Sequence, residues 1–151
     1  MEKEGLLRIL QENGGILNLI PVFVPRRFGA CGRRLRPHPD DYYALGTARG
    51  SIKERWFSSV ICAMNGPEAA PDEGMSYVNV TGTAQGKVSL KDFVDALGPA
   101  LIGEALYKKY GTWPMYSKFF DYEGPLFHHV HLDFAAAARV GKLGKPEAYY
   151  Y

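Results

Sequence analysis

Apolar side chains recur at helical spacing near the amino terminus, where Leu6, Ile9 and Leu10 share one face of residues 4–12 and Asn13-Gly14-Gly15 supplies a stop. This pattern predicts an amphipathic helix packed on the outside of the domain. Residues Ile16 to Val24 read as a strand, and Pro21 within the run with Pro25 at its close places it at a sheet edge. Ile52-Lys-Glu-Arg-Trp56 leads into Phe57 to Met64, a mixed apolar run of strand length that stops at Asn65-Gly66-Pro67. After a polar loop over 66–74, Ser76 to Thr81 alternates, with Ser76, Val78 and Val80 on one face and Tyr77, Asn79 and Thr81 on the other; Gly82 to Gly86 should then turn the chain back. Ser89-x-x-Asp92 resembles a capping box with Asp in place of Glu, and it opens a helix carrying Phe93, Val94 and Leu97. Gly98-Pro99 breaks that helix and starts another, which carries Leu101, Ile102, Ala105 and Leu106 and ends near Gly111. Trp113 to Phe120 is an aromatic strand candidate, and Asp121 to Pro125 a turn. The predicted order is strands, a helical insertion at about residues 89–110, then strands.

Composition narrows the class. With 46% hydrophobic and 13% aromatic residues, a chain of 151 residues can bury one core, so residues 1–151 are read as one unit. Seventeen Gly, ten Pro, ten Tyr and eight Phe favour strands and turns, giving a mainly β, α+β class with helical insertions. A net charge of +2 with 23% charged residues is too balanced to imply nucleic acid or an anionic membrane as the main partner. No run approaches the roughly 18 apolar residues of a membrane span. Met1-Glu-Lys-Glu opens with charges and no apolar leader, and Cys31 and Cys62 lack CxxC spacing, so a reducing, cytoplasmic setting is expected. The chain reaches Tyr151 inside a strand-like stretch, which leads us to expect the N-terminal part of a longer protein.

The candidate chemistry lies in Gly124-Pro-Leu-Phe-His128-His129-Val-His131 and Gly144-Lys145-Pro-Glu147. In an extended strand, His129 and His131 share a face while His128 and Val130 take the other, and Lys145 and Glu147 repeat that parity. The Ala-rich, helix-prone stretch from Asp133 to Val140 can carry the chain between two neighbouring strands. Two imidazoles and a carboxylate would then converge on one divalent ion with a coordination position left open, and zinc, manganese or iron(II) all suit that donor set. Such an ion polarises a carbonyl, and Lys145 on the same face would add positive charge beside a developing oxyanion. His128 reads as a core or surface histidine, and the two cysteines as buried small hydrophobes. Five arginines between Arg26 and Arg36 can grip phosphate, but charge runs are usually solvated, and Asp40 and Asp41 are their expected local partners.

These residues resemble a family, the class I (cupin-type) mannose-6-phosphate isomerases and their relatives. Trp113-Pro-Met-Tyr-Ser-Lys118-Phe-Phe-Asp121 followed by Gly124-Pro-Leu-Phe-His-His129-Val-His131 is similar to the family's Phe-Pro-x-x-x-Lys-x-x-Asp segment and its Pro-Leu-x-[Gln/His]-x-His. Gly144-Lys145-Pro146-Glu147-Ala-Tyr resembles the Lys-[Pro/Thr]-Glu-x-Trp/Tyr segment, and Gly32-Arg-Arg-Leu35 and Ile52-Lys-Glu54-Arg-Trp56-Phe-Ser58 match upstream motifs in the same order. The resemblance implies a cupin-like antiparallel β-barrel or jelly roll, incomplete at its C-terminal end. It implies that His129, His131 and Glu147 hold a divalent ion, zinc in the family, and that Lys145 is the active-site lysine. The activity implied is interconversion of an aldose and a ketose phosphate through an enediol, with a sugar phosphate as substrate. The family's fourth ligand, a histidine, and its arginine would lie beyond Tyr151. Asp133-Phe134 and the run Ala135 to Ala138 depart from the family continuation, so the sugar need not be mannose 6-phosphate. Two other classes stand beside this one: a non-catalytic, sugar-binding or regulatory metal cupin, and a basic binding module using the loop from Arg26 to Arg36.

Overall fold

The computed structural model describes residues 1–81 and 86–150, and local signals set most element boundaries. Helix α1 (Lys3–Glu12) buries Leu6 and Leu10 and stops at Asn13, whose amide donates to the Ile9 carbonyl. Two strands follow, β1 (Leu19–Ile20) and β2 (Val22–Arg26), then β3 (Ser51–Phe57), β4 (Tyr77–Asn79) and β5 (Lys87–Ser89). Helix α2 (Leu90–Leu97) is capped by Ser89, whose hydroxyl accepts from the Asp92 amide at 3.0 Å. Gly98, at φ 45°, breaks it, and Pro99 opens α3 (Pro99–Ile102). Helix α4 (Glu104–Tyr110) ends at Gly111 in the left-handed conformation, followed by β6 (Ser117–Phe120) and α5 (Phe134–Ala138).

The strands form two three-stranded antiparallel sheets, ordered β1-β4-β5 and β2-β3-β6. The architecture is mixed α+β, and the described residues close no barrel. The first sheet packs under α1 and α2, where Leu6, Leu10, Val78, Val80, Phe93 and Leu97 make the largest apolar cluster. Ser76, Val78 and Val80 are buried and Asn79 and Thr81 exposed, which is the alternation expected of a sheet with one face on a core. The turn expected over 82–86 falls largely on residues 82–85, outside those described.

Three strand boundaries differ from the sequence reading; the aromatic candidate Trp113 to Phe120 is strand only over Ser117–Phe120. Ile16 to Val24 is not one strand: Pro21, which has no amide to give to a ladder, separates β1 from β2, and each is an edge strand of a different sheet. The strand expected at Phe57 to Met64 lies earlier, over Ser51–Phe57, because Ser58 adopts φ 52° and ends the extended run. What sits in the centre of the second sheet is therefore a strand carrying Lys53, Glu54 and Arg55, the first two only 2% exposed. Among the described residues no helix is long and apolar enough to cross a membrane.

Candidate metal centre and adjoining pocket

In an antiparallel ladder, directly paired residues share a face, so Val24, Glu54 and Phe120, and likewise Val22, Trp56 and Lys118, line one side of the β2-β3-β6 sheet. On that side Glu54 is surrounded by donors. Arg26 gives it a two-pronged contact, Nε to Oε1 and Nη2 to Oε2, both at 3.0 Å. Trp56 Nε1 donates at 2.7 Å and the Tyr122 hydroxyl at 2.8 Å, while the Lys118 ammonium stands 3.6 Å away. Burial would raise the Glu54 carboxyl, but the Arg26 hydrogen bonds and the charges of Arg26 and Lys118 outweigh it and hold the group below its ordinary range. Burial lowers the Lys118 ammonium's pKa from its ordinary range, with the Glu54 charge acting against it, and its Nζ lies 4.5 Å from the Phe120 ring centre and 5.2 Å from that of Trp56.

This platform is the floor of a cavity of about 180 Å³. Its walls include Phe28, Phe127 and Tyr122, and its rim carries His129, His131, Lys145 and Glu147. One ligand atom from each of His129, His131 and Glu147 lies within 4.8 Å of the others, so the three candidate ligands named from sequence do come together. They do so without strands: residues 125–133 and 142–150 are irregular, and the two flanking strands expected from His129-Val-His131 and Lys145-Pro-Glu147 are not formed. The physical reason is local. Asp133 caps α5 by accepting from the Ala136 amide at 2.7 Å, so the chain turns directly after His131 instead of extending. Gly144 then packs on that turn, where an added Cβ would meet the Phe134 nitrogen at 2.6 Å, and the Lys145 amide donates to the Leu132 carbonyl at 3.3 Å. Those contacts lay the segment of Lys145 and Glu147 beside that of His131.

The donor set fits a divalent ion. His131 Nε2 and Glu147 Oε2 are 3.2 Å apart. Ligand distances near 2.0–2.1 Å in a tetrahedron require about 3.3 Å between neighbouring donors, so this pair is already spaced for one ion. His129 donates through Nδ1 to the Phe127 carbonyl at 3.0 Å, which leaves Nε2 as its lone-pair atom. The side chains of His131 and Glu147 keep 32% and 20% of their surface exposed, leaving a path for entry. Burial acts to raise the Glu147 carboxyl, but hydrogen bonds from Lys145 and Tyr149, with the charge of Lys145, hold it down at about 2, in the anionic form a metal ligand needs. Lys145 Nζ sits 2.6 Å from Glu147 Oε1 and 3.3 Å from His131 Nε2, so the lysine expected beside the cluster is in contact with it.

Sequence reasoning passed over three contributors. Glu54 and Lys118 were visible only as members of quoted motifs, and burial of a charged strand is what marks them. Gly144 could have been found from the Gly-Lys-Pro spacing, but its role is a close backbone approach that only the fold shows. The arginine loop also changes meaning. Its first two arginines pair with Glu54 and Glu68, not with Asp40 and Asp41, and Asp40 instead pairs with His38. Arg33, Arg34 and Arg36 are exposed. Cys62 is exposed too, where a buried hydrophobe was expected, and its thiol donates to the Pro71 carbonyl at 2.9 Å; both cysteines are free thiols. Comparison with protein-family models, with curated proteins and with solved structures finds no match for this chain.

Proposed function

We propose that this protein is a metal-dependent sugar-phosphate isomerase of the mannose-6-phosphate isomerase kind, built on a cupin-like scaffold. The observation that carries the reading is the convergence of His129, His131 and Glu147 at the rim of a cavity whose floor and rim hold the cations Lys118 and Lys145. The ordered motif resemblance from Gly32 to Tyr149 supports the same conclusion. His129 Nε2, His131 Nε2 and Glu147 Oε2 would hold one zinc ion. When bound, that ion polarises the adjacent carbonyl and hydroxyl oxygens of an aldose or ketose, which acidifies the proton on the neighbouring carbon.

The chain's own residues supply the rest. Lys145 presents its ammonium at the rim, where it stabilises negative charge developing on the sugar oxygen. The Lys118 ammonium adds positive potential at the floor and favours an anionic sugar. Phe28 and Phe127, packed edge to face at 5.0 Å, give the cavity an apolar side. The reaction removes the proton at C2 of the aldose, passes through an enediol and returns a proton to C1. A donor exchangeable with water would therefore leave deuterium on carbon. Incubation of the zinc-loaded full-length protein with hexose 6-phosphates in deuterated water should convert at least one aldose to its ketose and label C1 or C2; neither conversion nor label with any of them would refute the isomerase.

A further inference from the structure

Glu147 is held by neighbours that divide its two oxygens. Lys145 Nζ takes Oε1 at 2.6 Å, while the Tyr149 hydroxyl donates to Oε2 at 2.7 Å, the same oxygen that lies 3.2 Å from His131 Nε2. A carboxylate oxygen has two lone-pair directions, so Oε2 can accept the tyrosine hydroxyl in one and face a metal ion in the other. Tyr149 is itself fixed from the sheet. Its ring stacks on Phe120 at 6.1 Å with planes 22° apart, and Phe120 is the β6 residue paired with Glu54. Residues 142–150 form no strand, so this stack is a tie between the ligand segment and the regular structure beneath the cavity.

We infer that Tyr149 is a positioning residue which, with Lys145, fixes Glu147 as a one-oxygen ligand through Oε2. This rests on the metal reading above and extends it to how the third ligand is aimed. Lys145 keeps Oε1 away from the ion, and Tyr149 stops the carboxylate from rotating to offer both oxygens. Held that way, Glu147 would take one coordination position of a bound ion rather than two. Loss of such an outer hydrogen bond typically costs about 10–100-fold in metal affinity.

The test is Co²⁺ titration of the full chain, read by competition with a chromophoric chelator and by visible absorption. Tyr149→Phe keeps the ring and its stack on Phe120 and removes only the hydroxyl. It should weaken Co²⁺ binding by about 10–100-fold. It should also change the visible bands, because Glu147 Oε2 is then aimed by Lys145 alone. Tyr149→Ala, which also removes the stack, should do at least as much. Wild-type affinity and spectrum in Tyr149→Phe, with loss only in Tyr149→Ala, would reduce the tyrosine to packing and overturn the inference while leaving the metal site standing. If the wild-type chain takes up no Co²⁺ that His131→Ala abolishes, the metal reading and this inference fall together.

Discussion

Glu54 and Glu147 are two carboxylates facing one cavity, each in contact with a lysine and a tyrosine, yet they are built for opposite ends. Glu54 lies on the central strand of its sheet, 2% exposed; a guanidinium, an indole N–H and a phenol donate to it, and an ammonium pairs with it at 3.6 Å. Glu147 lies in irregular chain, its side chain 20% exposed, and two of its neighbours are imidazoles with lone pairs to offer. A cation brought to Glu54 would meet a guanidinium, an ammonium and no second ligand. One brought to Glu147 would meet a single ammonium, Lys145, and two imidazoles close by. The sign and donor character of the neighbours, more than the carboxylate itself, separates an anchor from a candidate ligand.

That contrast can be broken by mutation. The largest effect is expected from Glu54→Ala, which leaves Arg26, Lys118, Trp56 and Tyr122 without their shared acceptor. Removing one partner of a buried charge network costs about 3–5 kcal/mol, so urea unfolding should show a loss of that order, and a loss below about 1 kcal/mol would mean the anchor is misassigned.

A smaller effect is expected in acid. The folded-state Glu54 carboxyl lies below its ordinary 4.5, so on acidification the unfolded chain takes up the proton first. Its contribution is complete above pH 4.5 and is lost as the pH falls through the folded-state value. Glu54→Gln should therefore unfold more easily at neutral pH and show a shallower decline below pH 4.5 than the wild type; parallel declines would contradict the assignment.

The smallest effect belongs to the other carboxylate's neighbourhood. His131→Ala, at a site still 32% open to solvent, should change the stability of the metal-free chain by no more than about 0.5 kcal/mol, measured by the same unfolding curves. A change as large as that of Glu54→Ala would make the histidine a structural residue.

The same contrast explains what could be read before folding. Local rules carried most of the helical insertion, because a serine cap at Ser89, a Gly98-Pro99 break and a left-handed Gly111 act within a few residues; the single helix expected after Pro99 is split into α3 and α4 by Gly103, at φ 85°. Alternation carried the stretch around β4, where Val78 and Val80 join the largest apolar cluster. It failed for β3, since period-two reading assumes that polar means exposed, and Lys53 and Glu54 are buried through ion pairs and hydrogen bonds to distant residues. The His129-Val-His131 parity picked out side chains that do come together with Glu147, although no strand forms there. Their convergence comes from the Asp133 cap and the Gly144 contact, which bring segments more than ten residues apart side by side.

Zinc stoichiometry tests the central claim most directly. Equilibrium dialysis of the full chain against Zn²⁺, repeated with His129→Ala, His131→Ala and Glu147→Ala, should give one ion per wild-type chain. Each of the three variants should lose that ion while unfolding in urea like the metal-free wild type. Retention of zinc by all three variants, or no uptake by the wild type, would contradict the account.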